Sequence, residues 1–190
     1  IDILAAANNA SNEVASITKR SMNGELDFFE SLTARVKFLK GMPLSKADEI
    51  CKNLPIMPGA SELIAALKQK GIKVVVFSGG FHIATDKMQE KLKFDANFAN
   101  ILHHKDGILT GEVGGEMMFG SSKGEMIDRL KGLLNLDKSE IMCVGDGAND
   151  VSMFRKCDLK IAFCAKEILK KEATHCVDVK DLCEILNFIR

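Results

Sequence analysis

The chain has no tryptophan and no tyrosine. Its 11 Phe and 9 Met must therefore supply the large core side chains. It has no net charge, because 26 Lys and Arg balance 26 Asp and Glu. That argues against a nucleic-acid field and against a polybasic membrane patch. No apolar run reaches the ~18–20 residues a helix needs to cross a bilayer. The opening residues do not read as a secretory signal. The six cysteines, at 51, 143, 157, 164, 176 and 183, form no Cys-x-x-Cys pair. The four histidines do not cluster with them, which argues against zinc. Unpaired thiols beside apolar runs pack as small hydrophobes and suit a reducing cytoplasm. Ile1-Asp2-Ile3-Leu4 carries no initiator Met and reads as helix interior, so a preceding segment is expected.

What is present suits one domain, or one domain with a small insert, in 190 residues. Residues 1–54 read as helical, with no credible strand. Asp27 can cap a helix whose Phe28, Phe29, Leu32, Val36 and Leu39 share a face. From Pro55 helix and strand alternate. Ala60 to Gln69 reads as helix and Ile72 to Phe77 as a strand covered on both faces. A turn at Ser78-Gly79-Gly80 leads to a helix from His82 to Leu92. Residues 107–118 read as a glycine-rich β-hairpin. A helix follows, with Met126, Ile127, Leu130, Leu133 and Leu134 on one stripe. Strands are expected at 141–144, 160–163 and 175–177, with helices at 149–156, from Lys166 and from Asp181. The alternation implies an α/β fold, a Rossmann-like doubly wound parallel sheet in residues 55–190. A helical cap, residues 1–54, precedes it.

Four local features could carry chemistry. The strongest is Val144-Gly145-Asp146-Gly147-Ala148-Asn149-Asp150, two acids and an amide on a glycine loop just past a strand. Ligands bind at that end of α/β sheets, and hard oxygen donors there suit Mg²⁺. Asp and Asn also cap helices, but the two glycines and two acids exceed what a cap needs. The second is Phe77-Ser78-Gly79-Gly80-Phe81, where a hydroxyl and backbone N–H groups can hold phosphate, or simply form a capped turn. The third is Lys123, at a helix start, where a cation opposes the macrodipole unless an anion is near. The fourth is Arg35, on the edge of the apolar face of its helix. It either snorkels along that face or binds a carboxylate.

In this order the features resemble the haloacid dehalogenase superfamily of phosphatases. The further stretches Leu109-Thr110-Gly111, Ser152-Met153-Phe154, Lys160 to Lys166, Glu30-Ser31-Leu32 and Arg35-Val36 are similar to the branch that acts on O-phospho-L-serine. The resemblance covers nearly the whole chain, cap included. It implies hydrolysis of O-phospho-L-serine to L-serine and phosphate through an aspartyl-phosphate, the last step of serine biosynthesis. Ser78 and the Gly79 N–H would bind the phosphoryl group, and Lys123 would neutralise it. Asp146 would ligate Mg²⁺, Asn149 would contact phosphate, and Asp150 would support the metal shell and Lys123. Arg35 would hold the serine carboxylate, Met22 and Phe28 would close over it, and Gly80 would add backbone contacts. A monomer or homodimer is expected. The family's first motif, Asp-x-Asp-x-Thr on a central first strand, does not occur in the chain, and is expected just upstream of Ile1. The 190 residues alone are accordingly expected to be inactive, to bind metal weakly and to leave two strand edges unpaired. Two alternatives are a phosphatase for another small ester and a truncated, non-catalytic ligand-binding module.

Overall fold

The computed structural model describes residues 1–22 and 25–189, with only the backbone for Met22. Contacts divide the chain into two compact units. The first comprises Ile1–Pro55 and Val74–Met118, the second Ile56–Lys73 and Phe119–Arg190.

The first unit opens with four helices, α1 (Asp2–Ala7), α2 (Ser11–Met22), α3 (Phe28–Val36) and α4 (Leu44–Lys52). The start of α3 follows from its sequence. The Asp27 carboxylate accepts the Glu30 N–H at 2.7 Å, and the Glu30 carboxylate accepts the Asp27 N–H at 3.3 Å. This reciprocal box satisfies two N–H groups the helix cannot pair itself. Leu32, Val36 and Leu39 are buried as the spacing predicts, while Phe28 is half-buried and Phe29 exposed. These helices are followed in the unit by β1 (Val75–Phe81), α6 (His82–Leu92), β2 (Ala96–Lys105) and β3 (Ile108–Gly115); α5 (Ala60–Gln69) belongs to the second unit. β1 and β2 run parallel, β2 and β3 antiparallel. One apolar core joins Leu32, Val36 and Leu39 to Phe81, Leu102 and Leu109. The expected division at residue 54 is therefore not where contacts divide, because the sheet's apolar face covers the helices.

The second unit holds α5 (Ala60–Gln69), α7 (Ser122–Leu134), β4 (Met142–Gly145), α8 (Val151–Phe154), β5 (Leu159–Phe163), α9 (Glu167–Lys170), β6 (His175–Val177) and a 3₁₀ segment, Leu182–Phe188. Its three strands are all parallel, in the order β4-β5-β6. Phe154, Ile161, Leu169 and Ile185 are fully buried there. The α/β class and the parallel pairing agree with the sequence. The strands fall into two three-stranded sheets, and β1 and β4 each pair on one side only among the described residues.

Four local expectations are corrected. The hairpin joins β2 to β3 through Asp106-Gly107, so residues 107–118 hold only part of the turn and the second strand. Both turn residues have positive φ, 49° and 75°, which fits the two-residue turn that matches strand twist. The apolar run at 72–77 is not covered on both faces. It begins its strand at Val75 and stays half-exposed, consistent with an edge position. The segment 149–156 is a 3₁₀ turn, Ala148–Asp150, followed by a single α-turn. In α7, Met126 and Ile127 are buried, but Leu133 and Leu134 are 80% and 57% exposed. That helix packs through its first half, where Gly124 meets Ser152, and its last turn extends beyond.

Candidate active site

Each unit carries one set of the expected residues. In the second unit β4 ends at Gly145 and delivers the loop to Asp150. Asp150 is 1% exposed, and its carboxylate does not cap the helix that follows. It turns back instead. One oxygen accepts the N–H groups of Asp146 (2.9 Å) and Gly147 (3.0 Å). The other meets Lys123 Nζ at 2.5 Å. Both side chains of this pair are shielded, at 12% and 2% exposure. The anion that Lys123 needs at its helix start is therefore built into the protein. The turn-back requires Gly145, since a Cβ there would lie 2.6 Å from Asp150 Cβ and Cγ. At Gly147 the nearest atom to such a Cβ is Asn149 Oδ1, at 3.1 Å, which can rotate aside. Gly145→Ala is expected to destabilise the protein by about 1–3 kcal/mol through overpacking, and Gly147→Ala by under ~1 kcal/mol. Thermal melts of the two variants compare them, and equal losses would refute the close approach at Gly145.

Asp146 follows the strand and is exposed. Partial desolvation of its carboxyl, then the nearby negative charge of Asp150, push its pKa above the usual carboxylate value. Asp146 forms no ion pair among the described residues. A raised, unpaired carboxylate beside a second acid fits one ligand position of a hard divalent cation. Asp150 is committed to Lys123 and two N–H groups. Among the described residues no group of three or more His, Cys, Asp or Glu assembles into a metal site. Asn149 is half-buried with its side-chain amide unpartnered among the described residues. Ser152, which sequence reasoning gave no role, ties the set together. Its hydroxyl accepts the Gly124 N–H at 3.3 Å and donates to the Asn149 carbonyl at 3.4 Å.

In the first unit Ser78, Gly79 and Gly80 do not form a turn after the strand; they lie within it. Phe77 pairs with Phe98, and Phe81 with Asn100, so four steps on β1 span two on β2. The resulting bulge lifts the three residues out of the ladder. Ser78 Oγ accepts the Gly80 N–H at 3.0 Å. That N–H is thus engaged internally, while the Ser78 proton has no acceptor among the described residues. The Phe28 ring lies over Gly79, where an added Cβ would come within 2.6 Å of Phe28 Cζ. Arg35 is half-buried in the last turn of α3 and donates Nε to the Ser31 carbonyl at 3.1 Å. Its two Nη groups have no partner among the described residues. Burial lowers its pKa from the ordinary value, with Asp2 acting against that. The expected role of Met22 lies outside the described residues.

The haloacid dehalogenase-like hydrolase family matches residues 1–158. The chain belongs to the haloacid dehalogenase-like hydrolases. A phosphoserine phosphatase of Campylobacter jejuni subsp. doylei is 57% identical over 189 residues, which span 100% of this chain and 91% of the relative. A substrate-bound phosphoserine phosphatase superposes with a TM-score of 0.94 at 46% identity, over 100% of this chain and 90% of its own. A phosphoserine phosphatase holding an analogue of the phospho-aspartyl intermediate gives the same TM-score, identity and coverage. No helix among the described residues is long and apolar enough to cross a membrane.

Proposed function

We propose that the protein hydrolyses O-phospho-L-serine to L-serine and phosphate through an aspartyl-phosphate, as a Mg²⁺-dependent enzyme of the reducing cytoplasm. The observation that carries this reading is the 57% identity over the entire chain, cap segment included. The cap residues are the ones that would distinguish phosphoserine from other esters.

Phosphoryl transfer spreads charge over three equatorial oxygens, so positioning and charge neutralisation do most of the catalytic work. The free proton of Ser78 donates to a phosphoryl oxygen. The Lys123 ammonium, held in place by Asp150, neutralises phosphate charge, and the Asn149 amide donates to it. Bound Mg²⁺, held in part by Asp146, would supply further positive charge there. Asp150 acts by fixing Lys123 and the loop N–H groups. Arg35 presents its two Nη groups to the substrate carboxylate, with Phe28 closing over the amino acid. The nucleophilic aspartate of the family's mechanism is not among these residues. Six free thiols fit the proposed compartment.

Arg35→Ala tests the substrate. A charge-assisted, bidentate contact is worth about 1.5–3 kcal/mol. Turnover of phosphoserine by the full-length polypeptide is therefore expected to fall roughly 10- to 100-fold in kcat/KM, mostly through KM. Turnover of a phosphate ester without a carboxylate should change little. Equal losses on both esters would overturn the carboxylate role.

A further inference from the structure

The bulge at Ser78–Gly80 leaves peptide groups without ladder partners, and a buried side chain meets one of them. Asn100, on β2, is 0% exposed and uses both ends of its amide. Nδ2 donates to the Gly79 carbonyl at 3.3 Å and to the Met117 carbonyl at 3.0 Å. Oδ1 accepts the Met117 N–H at 2.9 Å. The Met117 contacts pin the chain just past β3. The Gly79 contact acts on the bulge. A trans peptide is planar, so its C=O and N–H point in opposite directions. Holding the Gly79 oxygen therefore aims the Gly80 N–H, which is the group that donates to Ser78 Oγ. An oxygen that already accepts from an N–H offers its own proton outward.

We infer that Asn100 is a positioning residue for phosphoryl binding, acting through the Gly79–Gly80 peptide to set the Ser78 hydroxyl as a donor. This rests on the reading of Ser78 as a phosphoryl ligand. Asn100 touches no substrate. Its loss frees the peptide to rotate, the Gly80 N–H leaves Ser78, and the hydroxyl has several orientations in place of one. The defect falls on the phosphoryl end, so it is the same for every phosphate monoester.

A double-mutant cycle in the full-length polypeptide tests this, with Asn100→Ser chosen because it adds no charge. Ser78→Ala alone is expected to lower kcat/KM about 10- to 100-fold, the range of a hydrogen bond to a charged group. Asn100→Ser alone is expected to lower it about tenfold, equally for phosphoserine and for an ester lacking a carboxylate. In the Ser78→Ala background the same change should matter less than about twofold, because the group it positions is gone. A full tenfold loss in that background would overturn the relay and leave Ser78 as a ligand. A larger loss for phosphoserine than for the other ester would also overturn it, since the effect would then run through the cap. No effect of Ser78→Ala alone would overturn both the relay and the reading of Ser78. Amide exchange of the unmutated protein gives a check that needs no variant to fold. The Gly80 N–H should be protected, and an unprotected Gly80 would sink the relay.

Discussion

Asp150→Asn in the full-length polypeptide is expected to lower stability by about 3–5 kcal/mol, the range for breaking one side of a buried ion pair. Asp150 accepts three donors, Lys123 Nζ and the N–H groups of Asp146 and Gly147. An amide has one acceptor oxygen, so its NH₂ must face either the ammonium or the two N–H groups. Both arrangements oppose donor to donor, and the Lys123 ammonium, 12% exposed, is left unpaired in a shielded place. For a chain of this length the loss corresponds to a fall in Tm of roughly 6–20 °C. Turnover should fall with it, because Lys123 loses the group that orients it. Adding Lys123→Met should recover part of the stability and none of the activity, since the stranded charge is removed while the phosphoryl site stays incomplete. A fall below about 1 kcal/mol in Asp150→Asn would mean that water already relaxes the pair, as at an exposed salt bridge.

Asp146→Asn should behave in the opposite way. Without divalent cation the variant is expected to be more stable than the parent at neutral pH. Desolvation and the charge of Asp150 raise the Asp146 pKa in the fold above its unfolded value of about 3.9. A raised carboxyl contributes its full share below the unfolded value and loses it as pH rises through the folded value. Parent and variant should therefore coincide in acid and separate across that window. Water screens much of the effect at this exposed residue, so the gain is about 0.5–1 kcal/mol, or roughly 1–4 °C in Tm. With Mg²⁺ the order reverses. The parent gains about 2.7 kcal/mol at a hundredfold excess over Kd, and the variant gains little. Turnover in the variant should drop on the order of 1,000-fold, because charge stabilisation by a metal is worth several kcal/mol. Thermal melts across pH, with and without Mg²⁺, measure both parts. A variant that still gains full stability from Mg²⁺ would remove Asp146 from the metal's ligands.

The two units differ in how much of them the sequence reveals. Asp27, Glu30 and the apolar spacing of α3 are local signals, and the helix forms where they place it. Ile141-Met142-Cys143-Val144 reads as a strand with a ligand loop beyond it for the same reason, and the strand forms one residue later, at Met142–Gly145. Other features depend on a partner distant in sequence. β2 has polar and charged residues interrupting its apolar ones, so the hairpin was legible only through β3 and its turn. Leu133 and Leu134 fit the helical stripe, yet both stay largely exposed on the last turn of α7. Asn100 left one faint sign, a polar residue inside Phe98-Ala99-Asn100-Ile101-Leu102, and its partners lie 17 and 21 positions away.

Sequence alone determined the α/β class, the capped start of α3 and the gathering of two acids, an amide and two glycines at Gly145 to Asp150. Local propensity, apolar period and short motifs are properties of neighbouring residues, and they survive without a fold. Only the tertiary structure decided that Asp150 turns away from its helix to hold Lys123, 27 residues earlier, and that Ser78 stands in a bulge rather than a turn. The first follows from burial, since a carboxylate withdrawn from water must find its partners wherever the fold brings them; the second follows from the register of β1 against β2, a strand distant in sequence.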